Sequence, residues 1–436
     1  MWFAGSALAN GLTTHVTISE YAIDELGSDD AADARLVEIV SRDDLWWIVQ
    51  NGTQFPDGGY AMGEAYSETA HWEPFQDRYL EWIRTEYGGD YSSEAAKEHI
   101  AFLMGLASHG MGDQVFDALY MQRAYVYDAG SDWVNLSMDT STDVAIAAIT
   151  GGQTVQDTWI PYDQMVPLMA DAGIAVSAET LAEGQNLTHI AIGFGIAGAG
   201  SEAMQAQHST NFPWSYAHIL DEDVPGSPPW EGRVVAKYWQ VRWARLNGEK
   251  EAIEPVIYTF PPDGGFGHET DPALVESRVT LVFSRGLVSD LVSADMFTVT
   301  DTAGNNYPVT PWVFYGHGSH VVHLSSESGW PDDTDFVVTA SADVPYIDGT
   351  YSETEHSFTF STKDPPVEVE ESPPEGEECG CAASGTDTGT AAAGFTALAM
   401  VRKVVASIAP VIGLLFCGGT APLIWALDSG AMPRRE

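Results

Sequence analysis

The sequence predicts a multidomain chain: a mainly α-helical domain followed by a β-sandwich, with non-globular segments at both ends. Three observations predict it. Apolar residues recur at helical spacing as far as about residue 245. From Glu251 to Thr362 the pattern changes to short alternating runs separated by turn signals. After residue 362, Pro, Glu, Gly, Ser and Thr dominate and no core can form. The length, 436 residues, exceeds one typical domain.

In the helical part, residues 31–50 carry Leu36, Ile39, Val40, Leu45 and Ile48 at close to a helical repeat. Residues 93–106 follow a Ser-Ser start signal and carry Ile100, Phe102, Leu103 and Leu106. Residues 113–126 and 142–149 also read as helical, and 161–170 and 178–183 as shorter helices. Residues 188–200 are apolar and Gly-rich, with Ile190, Ile192 and Ile196 suggesting a buried helix. Residues 233–246 make a last helix against the core. Phe55-Pro56-Asp57-Gly58 reads as a turn that presents a carboxylate.

The strand runs include 279–283, 297–299, 321–324, 336–339 and 357–360, with turn signals at Asp263-Gly264-Gly265 and Ala303-Gly304-Asn305. About seven strands in roughly 110 residues predict a β-sandwich. Pro261-Pro262-Asp263-Gly264 at its start and Phe358 to Thr362 at its end resemble the landmarks of bacterial Ig-like domains. That resemblance implies a spacing or adhesive role.

The net charge of −45, from 63 acidic and 18 basic residues, repels polyanions and argues against a nucleic-acid partner. It suits cation binding and solubility in a salty medium. The three cysteines, Cys379, Cys381 and Cys417, lie near the C-terminus. Any metal site in the main fold must therefore use His, Asp and Glu.

Both ends carry address signals. Ala7-Leu8-Ala9 has the small-x-small form of a signal-peptidase site, so residues 1–9 read as the end of a signal peptide, with Asn10 as the mature N-terminus. Residues 363–390 form an acidic Pro/Glu-rich linker. Within the apolar segment 391–436, Val404 to Leu427 is free of charge and long enough to span a bilayer. Cys379-Gly380-Cys381, the apolar stretch and Arg434-Arg435 resemble a MYXO-CTERM-type sorting signal, which implies C-terminal processing or anchoring machinery. Both ends point to an extracytoplasmic, surface-anchored protein.

The chemistry centres on His109-Gly110-Met111-Gly112-Asp113. On a helix its imidazole and carboxylate share one face and can hold one metal ion. Its two glycines allow close approach of neighbouring backbone. Asp117 extends the row by a turn, and Asp139 and Asp143 form a second acidic i, i+4 pair. Taken singly such pairs are common; the set includes Asp57 and His71 as well.

The strings Thr14-His15, Phe55-Pro56-Asp57, His71-Trp72-x-Pro74-Phe75 and Ser108-His109-x3-Asp113 together resemble the zinc-dependent phospholipase C family, closest to its GPI-specific phospholipase D branch. The resemblance spans residues 10–150 and extends over a domain of 10–248, followed by the Ig-like domain at 251–362. It implies a first zinc on Asp57, His71, His109 and Asp113. A second would be shared by Asp113 with His15 and the amine and carbonyl of Asn10. The third-site positions match Asp117, Asp139 and Asp143, with Asp128 and Asp132 as alternatives. Such an all-oxygen set favours another divalent metal over zinc. The implied activity is hydrolysis of phospholipid at a membrane surface by a zinc-activated water, with Asp57 catalytic. Trp72, Trp133, Trp214, Trp230, Trp239 and Trp243 are numerous enough to rim a lipid cleft as well as to pack. The competing readings are a catalytically inactive surface adhesin and a single-strand-specific zinc nuclease.

Overall fold

The computed structural model describes residues 10–128, 134–155, 157–249, 253–316 and 318–365, with 134–140 described by backbone alone. The signal-like start, the linker, the apolar C-terminal segment and all three cysteines lie outside these residues. Among the described residues no helix is long and apolar enough to cross a membrane.

The chain is mainly α-helical as far as Asn247. The helices are α1 (Leu12–Ser28), α2 (Ala34–Ser41), α3 (Asp43–Tyr60), α4 (Tyr66–His71), α5 (Glu73–Tyr87) and α6 (Glu94–Val115). A π-helical turn, Phe116–Tyr120, joins α6 to α7 (Met121–Tyr127). Then follow α8 (Val134–Thr150), α9 (Tyr162–Asp171), α10 (Ala178–Ala199), α11 (Glu202–Asn211), α12 (Pro213–His218) and α13 (Pro228–Asn247).

Three expectations change in detail. The stretch 31–50 is not one helix but breaks at Arg42, which is extended. Asp43 and Asp44 favour a fresh N-terminus there, and the Arg42 guanidinium bonds to Asp44 and Glu94. Residues 178–183 and 188–200 merge into α10, which Ser177 caps by accepting the Thr180 N–H at 3.2 Å; it is not a buried helix, since Ile192 is buried but Ile190 and Phe194 are exposed. Phe55-Pro56-Asp57-Gly58 is helical, within α3, and not a turn. A helix interior ordinarily excludes proline. Here α3 lies so close on α6 that a Cβ on Gly52 would sit 2.3 Å from the Phe102 carbonyl, and one on Gly105 2.1 Å from that of Val49. Burial of Ile48, Val49 and Phe55 along this crossing overrides the local cost of Pro56.

Strands follow from Val256: β1 (Val256–Phe260), β2 (Val279–Phe283), β3 (Phe297–Asp301), β4 (Thr310–Val313), β5 (Val321–Ser325), β6 (Asp335–Ala340) and β7 (His356–Ser361). They form a four-stranded sheet, β1-β2-β5-β4, and a three-stranded sheet, β3-β6-β7, with every ladder antiparallel. Leu281, Phe283, Val322 and Leu324 of the first sheet share one core with Val299, Phe336, Val338, Phe358 and Phe360 of the second. The two landmarks noted in the sequence meet: Asp263 accepts the N–H of Thr359 at 2.8 Å and its hydroxyl at 2.9 Å.

The helical and stranded parts form one compact unit. Val282, Phe314 and Val321 of the stranded part belong to the helical core, and the Trp230 and Tyr258 rings meet at 4.7 Å. A buried ionic cluster reinforces the contact. Glu73, at the start of α5, accepts from Arg245 at 2.8 Å and from the Gly286 N–H at 2.6 Å. It also lies 3.4 Å from His320 Nε2 and 3.6 Å from Arg242. Asp77 pairs with both arginines.

Candidate metal centre

Four helices bring the site together. His15 comes from α1, Asp57 from α3, His71 from the end of α4, and His109 and Asp113 from one face of α6. Close backbone contact makes this convergence possible. A Cβ on Gly110 would lie 2.0 Å from the His71 carbonyl oxygen, so only glycine lets α6 approach the His71 backbone.

The imidazoles are oriented by main-chain carbonyls. His71 Nδ1 lies 2.7 Å from the Ser67 carbonyl, and His109 Nδ1 2.6 Å from that of Thr53. A carbonyl can only accept, so both Nδ1 atoms carry the proton and both Nε2 lone pairs face inward. His71 Nε2 lies 3.5 Å from Asp113 Oδ2 and 3.8 Å from Asp57 Oδ1. His109 Nε2 lies 3.4 Å and 3.8 Å from the same two atoms. His15 Nε2 lies 3.2 Å from Asp113 Oδ1 and 4.0 Å from Asp57 Oδ2. The His15 and His109 rings stack at 3.8 Å. Ligand atoms of His15, His109 and Asp113, and separately of Asp57, His71 and His109, lie within 4.8 Å of one another. His109 Nε2 is buried without a hydrogen-bond partner, as expected of an atom reserved for a cation.

The electrostatics agree with this geometry. Burial pushes the Asp57 carboxyl up to about 6, against the pull of His15 and His71. Burial also works on Asp113, but His109, His15 and His71 together hold it below the usual range. Burial and the neighbouring His15 drive His109 well down, so it is neutral and its lone pair is available. Burial opposes a charge on His15 too, yet Asp113, Asp57 and Asp143 raise its pKa. The centre thus balances its carboxylates with protons that a divalent ion can displace.

The remaining predicted residues divide. Asn10 is buried, and its main-chain nitrogen lies 3.2 Å from Asp113 Oδ1. Asp143 Oδ1 accepts the N–H groups of Thr13 and Thr14 at 2.8 and 3.0 Å and both of their hydroxyls, so it caps α1 from across the fold. Asp117 lies in the π-helical turn and accepts from the Tyr315 hydroxyl. The Asp139 side chain and Asp132 lie outside the described residues. Asp128 caps α12 by accepting from Trp214 N, Ser215 N and Ser215 Oγ. Neither Asp117 nor Asp143 joins the two ligand groups. Of the tryptophans, Trp230, Trp239 and Trp243 are core, while Trp72 lies 5.8 Å from the His71 ring; Trp133 lies outside the described residues.

Two features escape sequence reasoning. The β4–β5 connection reaches the centre: Tyr315 contacts the Trp72 ring at 5.8 Å, and the His320 N–H donates to Gln114, next to Asp113, at 2.8 Å. Tyr315 has φ 58°, a left-handed backbone uncommon for a bulky residue. The second feature is Glu231, fully buried beside Asn10, with Oε2 accepting from Asn10 Nδ2 at 3.0 Å. In sequence it is an ordinary acid in a first helical turn after Pro228-Pro229, and nothing there marks it as buried.

No family model matches the chain. Three curated proteins, each named phosphatidylinositol-glycan-specific phospholipase D, are distantly similar. The rat protein is 28% identical over 137 residues, 30% of this chain and 16% of the relative. The mouse protein is 32% identical over 117 residues, 26% and 14%. The bovine protein is 27% identical over 122 residues, 27% and 14%. The matched stretch thus spans 14% to 16% of the length of these relatives. Among solved structures, the surface-layer protein rSbsC(31-844) covers 76% of this chain and 46% of its own at 12% identity, with a TM-score of 0.21, too low to carry an argument.

Proposed function

We propose that this chain is a zinc-dependent phosphodiesterase that hydrolyses phospholipids, with His15, Asp57, His71, His109 and Asp113 as metal ligands and Asn10 joining them. One observation carries the reading. Two histidines whose Nδ1 protons are committed to carbonyls turn their Nε2 lone pairs, beside the Nε2 of a third histidine, onto a shared pair of carboxylates. A mixed set of imidazole and carboxylate donors suits zinc. The lipid class is supported by the distant similarity to phospholipase D proteins.

Bound zinc would polarise a phosphoryl oxygen and lower the pKa of a water to about 7. The residues of the chain supply the rest. Asp57, whose carboxylate faces His15, His71 and His109, would orient the attacking water or accept its proton. Water oxygen bonds to phosphorus, the ester P–O bond breaks, and the departing oxygen takes up a proton. Trp72 and Tyr315 offer an aromatic edge beside His71 for the apolar part of a substrate. The full engagement of Asp143 Oδ1 at the start of α1 favours two zinc ions over three. A third ion would need Asp117, Asp139 or the second oxygen of Asp143, an oxygen set better suited to another divalent metal.

The same proposal reads the stranded part as Ig-like. Its sheets follow the ABED and CFG orders of that fold. An extracytoplasmic, surface-anchored location is supported by the sequence signals Ala7-Leu8-Ala9 and Val404 to Leu427.

The test is zinc content by mass spectrometry for the full chain and for His109→Ala, followed by hydrolysis of phosphatidylcholine vesicles and of single-stranded DNA. The expectation is bound zinc and vesicle hydrolysis, both lost in His109→Ala. A zinc-free wild type would leave a surface-binding protein, and hydrolysis of DNA alone would make it a nuclease.

A further inference from the structure

Asn10 is held from three sides. Its main-chain nitrogen faces Asp113 Oδ1 at 3.2 Å. Its side-chain amide donates to Glu231 Oε2 at 3.0 Å. The helix that begins two residues later is capped by Asp143. Glu231 is 0% exposed, in the first turn of α13, and its Oε1 has no hydrogen-bond partner. Asn10 Oδ1, also buried, has none either. A buried carboxyl in such a place is costly, so its retention needs a reason.

Gly112 makes room for the pair. A Cβ there would lie 3.2 Å from Glu231 Oε2 and 3.5 Å from Asn10 Nδ2. The glycine within the His109-x3-Asp113 segment thus opens a slot on α6, and the Asn10–Glu231 contact fills it.

We propose that Glu231 is the positioning residue of the His15–Asp113 side of the metal centre: it grips the Asn10 side chain so that the Asn10 main-chain nitrogen is presented to the Asp113 oxygen that His15 also faces. The inference rests on the metal-centre reading above. Glu231 is not among the side chains whose ligand atoms cluster within 4.8 Å, so it acts through Asn10 and not as a ligand. Outer partners of this kind fix the orientation of metal ligands, and their loss weakens metal binding about 10- to 100-fold.

Native mass spectrometry of the chain that begins at Asn10 and is otherwise complete, loaded with zinc alone, tests this on wild type, Glu231→Ala, Glu231→Gln, Asn10→Ala, the Glu231→Ala/Asn10→Ala double variant and His109→Ala. Glu231→Ala and Asn10→Ala should each hold one zinc fewer than wild type at limiting metal, and the double variant should lose no more than either. Glu231→Gln should keep the full complement, because its amide oxygen still accepts from Asn10 Nδ2. A full complement in Glu231→Ala, or equal loss in Glu231→Gln, overturns the role of Glu231. Should Glu231→Ala fail to fold, Asn10→Ala decides alone, since it removes the donor and leaves the carboxyl. His109→Ala separates the two levels. If it holds as much zinc as wild type, the metal centre itself is misread and this inference falls with it. If it loses zinc while Glu231→Ala does not, only the positioning role falls.

Discussion

Gly110 is the residue on which the centre turns, because the contact it permits is backbone against backbone. Its absent side chain leaves the 2.0 Å of space into which the His71 carbonyl fits. Gly110→Ala must push α4 from α6 and carry His71 with it. We expect a cost of about 1–3 kcal/mol in urea unfolding from overpacking, together with loss of zinc. Unchanged zinc content at the lower stability would mean that His71 does not ligate. Protonation sets a second expectation at this scale. The folded pKa of Asp57, about 6, lies above its ordinary value of 3.8. For the metal-free chain, the contribution of this group to stability is present below the ordinary value and is lost as pH rises to about 6. Metal binding runs the other way, because the ion must displace that proton and the one on His15. The rise in melting temperature produced by zinc should therefore grow between about pH 5 and about pH 7. An equal rise at both pH values would remove Asp57 and His15 from the ligand set.

Elements were legible where period and punctuation agreed. Ser93 and the apolar spacing marked a helix as far as Leu106; the structure keeps that start and runs the helix on through His109 and Asp113 to Val115. Asp57 sits beside the histidines, as the sequence suggested, but on a helix, because the local proline signal in α3 is weaker than its packing on α6. Asp143 read as a third-site ligand; its capping of α1 was not legible, since the cap joins residues 130 positions apart. Distance in sequence also hid the cluster around Glu73. Glu73 has the look of a first-turn acid, yet it is buried against Arg245, Arg242 and His320 and accepts the Gly286 N–H. Removing it leaves that N–H orphaned and the arginines with Asp77 alone. Glu73→Ala should cost about 3 kcal/mol, read from denaturant unfolding. A loss below about 1 kcal/mol would show that the cluster is solvated and behaves as a surface pair.

At the scale of the molecule, the change of pattern near Glu251 suggested two consecutive domains, the second with a spacing or adhesive role. The change from helix to strand is real, but it is not a boundary in packing. Val282, Phe314 and Val321 complete the helical core, and the β4–β5 connection touches Trp72, Gln114 and Asp117. The sequence could not show this, because strand alternation reports which side chains are buried and not against what. Burying apolar surface between two parts couples their unfolding, since neither can open without exposing the core of the other. The candidate zinc ligands all belong to the helical part, yet the coupling carries their effect across. Zinc should raise the unfolding temperature of the helices, followed by far-UV circular dichroism, and that of Trp312 and Trp330 in the stranded part, followed by fluorescence in variants that isolate them, by the same amount. A stranded part that melts at its own temperature, indifferent to zinc, would mean that the shared core is too weak to join the two. The contact of Tyr315 with Trp72 would then be a touch between neighbours and not the wall of one site.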